Sequence, residues 1–160
     1  MYDAPGIGLA ANQVGILERI LVVDTDYEFD EEPEDGEEPS QFPESNAGSE
    51  VAGKGLIINK KPTIIINPRI VHQEGKIVFC EGCLSVPEYS AEVQRAKKIK
   101  LEYEDIDGLT RTLSAEGLQA VCIQHEIDHL NGKLFIDRLS PLKKEMAIKQ
   151  LVRQQKEDES

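Results

Sequence analysis

Strands first and helices last: three observations place this 160-residue chain in the α+β class. β-Branched, alternating runs recur through residues 16–113, the hydrophobic period becomes helical from Ser114 onward, and an HExxH pattern lies within that helical stretch. Together they predict one domain over 1–160, with antiparallel or mixed β-sheets packed around a central HExxH helix and a second helix at the C-terminus.

The β-like runs are 16–23, 62–67, 69–80, 91–103 and 109–113. Between the first two lies an acidic stretch, 24–55, broken by Pro33, Pro39 and Pro43 and poor in apolar residues. Residues 24–50 hold 12 of the chain's 30 acids and none of its 18 Lys and Arg, so the net charge of −12 belongs to this stretch and the remainder is balanced. Such a composition predicts a solvated, disordered loop insertion joining two strands. Asp107-Gly108 predicts a tight hairpin between the runs ending at Tyr103 and Leu113.

Leu118, Val121, Cys122, His125 and His129 share one helical face, with Ser114 as the expected N-cap and Gly132 as the expected stop. A last helix is expected over 141–156, where Leu142, Met146, Ile148, Leu151 and Val152 form an apolar stripe, followed by a tail at 157–160.

Several functions are excluded early. No apolar run approaches the roughly 18 residues of a membrane span, and the first residues lack the basic and apolar regions of a secretory signal. Three cysteines are an odd number, which argues against a closed disulfide framework and leaves metal or thiolate chemistry open. Gly6-Ile7-Gly8 completes neither a Walker A loop nor GxGxxG, and nothing in the sequence points to sequence-specific nucleic-acid binding.

The strongest chemical signal is Gln124-His125-Glu126-Ile127-Asp128-His129. Two His four apart reach one metal ion, and a Glu beside the first can take a proton from water. A catalytic site of this kind needs a third protein ligand. The HExxHxxGxxH pattern fails at Phe135, and Glu145 is the candidate that another HExxH metallopeptidase would use. Cys122 lies on the His face, but an ion between the two His sits about 7.5 Å further along the axis, beyond a short thiol. Cys83, in Cys80-Glu81-Gly82-Cys83-Leu84-Ser85-Val86-Pro87, is the better donor, because Gly82 permits irregular backbone and Pro87 ends the strand. A closed Cys₂His₂ site that also uses Cys80 would need a 41-residue gap between its pairs, far from finger spacing.

Three segments, Gly6-Ile7-Gly8-Leu9-Ala10-Ala11-Asn12-Gln13, Glu81-Gly82-Cys83-Leu84-Ser85 and the HExxH stretch, resemble in order the three signature motifs of bacterial peptide deformylases. The resemblance runs from Pro5 to about Leu142, interrupted by the acidic loop. It implies a metal-dependent, cytoplasmic hydrolase that removes the formyl group from N-formylmethionyl nascent peptides. Cys83, His125 and His129 would hold the ion, Fe²⁺ in the cell, with Zn²⁺, Ni²⁺ or Co²⁺ able to replace it. Glu126 would handle protons, while the Gln13 side chain and the Leu84 N–H would donate to the formyl oxygen.

Gly6, Ile7 and Gly8 are expected to pair with the substrate backbone, and Leu118, Val121 and Cys122 to receive the methionine. Glu81 is expected to make a supporting ion pair with Arg95. Lys143, Lys144, Lys149, Arg153 and Lys156 give the last helix a basic surface suited to the ribosome, and no membrane contact is implied. Family members carry several tens of residues before the first motif, whereas Gly6 here has five before it. The expectation is a shortened start that exposes apolar sheet surface, with a truncated, inactive metal-binding module as one alternative; any targeting segment would lie ahead of it.

Overall fold

The computed structural model describes residues 6–26, 28–29 and 57–158, so most of the acidic stretch and the end of the tail lie outside the described residues. The architecture is α+β, as expected. Strands β1 (Gly8–Ala10), β2 (Ile20–Val23), β5 (Thr63–Glu74), β8 (Lys98–Glu104) and β9 (Thr110–Glu116) form one antiparallel sheet in the order β1-β2-β5-β8-β9. Strands β3 (Glu28–Phe29) and β4 (Ile57–Ile58) make a short ladder where the chain leaves for and returns from the acidic stretch. A separate hairpin joins β6 (Ile77–Cys83) to β7 (Val86–Arg95). Helix α1 (Leu118–Leu130) packs on the sheet, and α2 (Pro141–Asp158) packs on the hairpin. Among the described residues, no helix is long and apolar enough to cross a membrane.

Alternation builds the main core. Leu21 and Val23 of β2, Ile65 of β5, Ile99 and Leu101 of β8 and Ala115 of β9 point to one face, where Ala120, Cys122, Ile123 and Ile127 of α1 meet them. A second cluster, Val86 and Val93 with Phe135, Ile136 and Ala147, seats the hairpin against a 3₁₀ turn at Phe135–Arg138 and α2.

Several boundaries differ from expectation, each for a local reason. Runs 62–67 and 69–80 are not split at Asn67-Pro68: β5 passes through with a register shift, because Asn67 adopts a positive φ of 49° and the bulge tolerates the missing N–H of Pro68. The break comes instead at Gly75, with φ 68°. Run 91–103 is two strands, and Ala96 between them donates its N–H to Gln124 Oε1 at 3.1 Å and accepts from Gln124 Nε2 at 2.9 Å. The run at 16–23 shortens to β2, preceded by a 3₁₀ turn at Ala11–Val14 that Gly15 (φ 80°) ends.

Ser114 does not cap α1, because it pairs with Lys100 inside β9. The chain leaves the sheet at Gly117, whose φ of 61° suits glycine. The end at Gly132 matches expectation: its N–H bonds His129 O and that of Lys133 bonds Asp128 O, a Schellman closure. Pro87 is the second residue of β7 rather than the end of a strand. The last helix starts as expected, with Pro141 in its first position after Ser140.

Candidate metal centre

Two consecutive turns of α1 present His125 and His129, and the end of β6 brings Cys83 against them. Cys83 Sγ lies 3.3 Å from His129 Nε2, and the two Nε2 atoms are 3.2 Å apart. All three donor atoms fall within 4.8 Å of one another. Tetrahedral bonds of ~2.0–2.3 Å place neighbouring donors roughly 3.3–3.6 Å apart, so the spacing suits one ion. A thiolate with two imidazoles favours a borderline cation over Mg²⁺ or Ca²⁺.

The electrostatics agree. Burial alone would raise the Cys83 thiol, but hydrogen bonds from His125, His129 and the Ser85 N–H outweigh it and bring it down to about 5. Glu126, 4% exposed, is pushed up to about 7 chiefly by burial, and its Oε2 has no hydrogen-bond partner. An orphaned buried carboxylate oxygen next to three clustered donors fits a group that exchanges protons with a water or ligand placed there.

The ring of His125 is held from behind. Its Nδ1 lies 2.8 Å from Glu81 Oε2, which leaves Nε2 facing the cluster. Glu81 in turn accepts from Arg95 Nε and Nη2 at 2.7 and 2.8 Å, and Arg95 also bonds Asp128. Asp128 receives a second fork from Arg138. Arg95 is thus the partner of Glu81, as expected. Asp128 and Arg138 completed this network without a sequence signal beyond the aspartate's place in the helix.

Gln13 reaches the same site from the 3₁₀ turn. Ala10 N–H pins its carbonyl at 2.8 Å, so its amide nitrogen faces Cys83 Sγ (3.7 Å) and Ser85 Oγ (3.4 Å). Leu84 sits beside Cys83 in the turn between β6 and β7, its side chain exposed. Gly8 lies so close to α1 that a Cβ would fall 2.6 Å from Glu126 Oε1 and 2.7 Å from Cys122 Sγ, so its lack of a side chain serves the packing of Glu126.

The expected methionine-binding residues are placed less evenly. Leu118 is half-buried, whereas Val121 and Cys122 are closed off, with Cys122 Sγ donating to Ile7 O at 3.3 Å. Gly6 and Ile7 lead into β1, which is an edge of the five-stranded sheet. Cys80 stands outside the donor group. Glu145 pairs with Lys149 on the exposed side of α2, and Phe135 lays its ring nearly parallel to that of His125 at 6.3 Å.

Residues 1–145 match the family model for polypeptide deformylase. A peptide deformylase of Erythrobacter litoralis is 46% identical over 152 residues, covering 94% of this chain and 76% of the relative. Among solved structures, a Legionella pneumophila peptide deformylase aligns with a TM-score of 0.71 at 39% identity, over 99% of this chain and 76% of its own. That of Ehrlichia chaffeensis gives 0.73 at 37% identity, over 100% and 79%.

Proposed function

The chain belongs to the polypeptide deformylase family, the amide hydrolases that remove the formyl group from the N-terminal methionine of newly made polypeptides, and we propose which of its residues do this work. Cys83, His125 and His129 hold the metal cofactor, and the observation that carries this is the convergence of their donor atoms within 4.8 Å beside buried Glu126. The ion we propose in the cell is Fe²⁺, with Zn²⁺, Ni²⁺ and Co²⁺ as substitutes that the same donors accept. When bound, the ion supplies Lewis acidity and an activated water.

The chain's own groups do the rest. Glu126, with its proton affinity near neutrality, takes a proton from the attacking water and passes one to the departing amine. The pinned Gln13 amide and the Leu84 N–H donate to the oxygen that gains charge as the formyl carbon is attacked. Formate and a free amine result. The peptide backbone adds to the edge of the sheet at Gly6, Ile7 and Gly8, a mode that tolerates many sequences because main-chain groups supply the bonds. Leu118, with Val121 and Cys122 behind it, receives the methionine.

We further propose that the bacterial cytoplasm is the setting, and that Lys143, Lys149 and Arg153 of α2 approach the ribosome. The test of the central reading is formate release from a formyl-Met tripeptide by the Fe²⁺- or Ni²⁺-loaded chain under anaerobic conditions. Glu126→Ala should keep the metal and lose ~10²–10⁴-fold in turnover. Equal turnover in that variant would remove Glu126 from the mechanism.

A further inference from the structure

The two imidazoles at the centre are secured differently. His125 is fixed through its ring, by the Glu81 carboxylate at Nδ1. His129 meets Cys83 and His125 through Nε2, and among the described residues no partner reaches its Nδ1. It also stands in the last turn of α1, where main-chain carbonyls lack partners within the helix and fraying begins. Its orientation therefore depends on how that turn is held.

Two side chains from the first segment of the protein hold it. Asn12, in the same 3₁₀ turn as Gln13, donates its Nδ2 to the carbonyl of His129 itself. Arg19 donates Nη1 to Leu130 O at 3.2 Å and to Asn131 Oδ1 at 3.1 Å, bringing a positive charge to the negative end of the helix. Arg19 is itself anchored to β5, since its carbonyl accepts the Asn67 N–H at 2.8 Å. The Schellman closure covers the carbonyls of Asp128 and His129, whereas that of Leu130 receives only Arg19 among the described donors.

We propose that Asn12 and Arg19 are positioning residues for His129: they fix the last turn of α1 through its backbone and thereby set how firmly the metal is kept. The inference rests on His129 being a metal ligand. It gives the first motif a second task, with Gln13 turned toward Cys83 and its neighbour Asn12 clamped on the end of the metal helix.

The experiment is Co²⁺ affinity of the full chain by competition with a chelator, read alongside the denaturation midpoint of the metal-free protein. Both side chains are exposed at the surface, so the metal-free midpoints of Asn12→Ala and Arg19→Ala should stay near the parent's. Co²⁺ affinity should fall about tenfold in each, the lower end of what supporting residues cost. Asn12→Asp should do more damage than Asn12→Ala, because it sets a carboxylate against a carbonyl, while Arg19→Lys should recover part of the loss. His129→Ala is the reference for the ligand reading. If His129→Ala loses Co²⁺ but the Asn12 and Arg19 variants keep parental affinity, the positioning role is overturned and the ligand reading stands. If affinity falls only in step with metal-free stability, the two residues serve the fold alone and the inference is likewise overturned. Parental affinity in His129→Ala would overturn the ligand reading, and this inference with it.

Discussion

Helix α1 and helix α2 come from adjacent stretches of chain and are treated in opposite ways. In α1, Gln124, Glu126, Asp128 and His129 are buried among apolar neighbours. In α2, Ala147 is the buried residue among the described side chains, while Leu142, Met146, Ile148 and Val152 stay exposed. Hydrophobic residues are therefore a poor guide to which helix matters. Apart from Glu126, whose Oε2 has no hydrogen-bond partner, the buried polar side chains of α1 are tied to partners elsewhere in the chain: Gln124 to Ala96, Asp128 to Arg95 and Arg138, and His129 to Cys83. Burying such groups costs several kcal/mol unless they are paired, so their presence marks a helix built around chemistry. The charges of α2 lie at the surface, where Glu145 and Lys149 pair along the helix with both side chains exposed.

The sharpest way to break this contrast is at Arg95, whose side chain is 0% exposed and holds Glu81 and Asp128 together. Arg95→Leu leaves two buried carboxylates short of their shared counter-charge and should cost about 3–5 kcal/mol in chemical denaturation. Arg95→Lys should recover little, because an ammonium cannot make the paired bonds of the guanidinium to Glu81. A loss below about 1 kcal/mol for Arg95→Leu would mean that the network is held elsewhere and that α1 resembles α2 more than its burial suggests.

Cys83 carries the comparison to the strand facing α1. In the metal-free chain the thiolate should persist down to about pH 5, with ionisation complete well above that pH and lost as pH falls through it. Alkylation or ultraviolet thiolate absorbance should show this midpoint. Unfolding should move it toward ~8.5, the ordinary value for a free thiol. Cys122, pushed well above the usual range by burial and the Glu126 charge, should not react in the same window. A folded-state midpoint above neutrality would show that the imidazoles do not act on the sulfur as the 3.3 Å approach of His129 Nε2 to Cys83 Sγ requires.

What could be read ahead of the structure follows from how local each signal is. The HExxH helix and the Gly132 stop are set by neighbours in sequence and appear where expected, and the alternation marks strands in each expected region although their boundaries shift. The breaks at Gly75 and Ala96-Lys97 were missed because the apolar pattern continues across them; Gln124 of α1 secures Ala96 from 28 residues away. Ser114 differs for the opposite reason, since this good cap residue is claimed by its own pair with Lys100 and β9 continues for two further pairs with β8. At the centre, Cys83 stands out by its place after Gly82 and ahead of Pro87, whereas Arg138 and Asn12 are ordinary surface types. Their part depends on contacts with α1 across 10 and 117 residues of chain.

The smallest effects should come from α2 and thus complete the contrast. Leu142 and Met146 are 69% and 61% exposed, so replacing either with Ser removes little buried area and should change stability by no more than about 0.5 kcal/mol. Ala147, 0% exposed against Phe135, Ile136 and the hairpin, is the control within the same helix. Enlarging it to Leu should cost ~1–3 kcal/mol by overpacking. Charge reversal at Lys149 and Arg153 should leave formate release from a short formyl peptide unchanged, since neither residue touches the centre. If those reversals slowed the short-peptide reaction as strongly as changes in α1 do, α2 would have to be counted as part of the site rather than as a surface helix attached through Ala147 and Leu151.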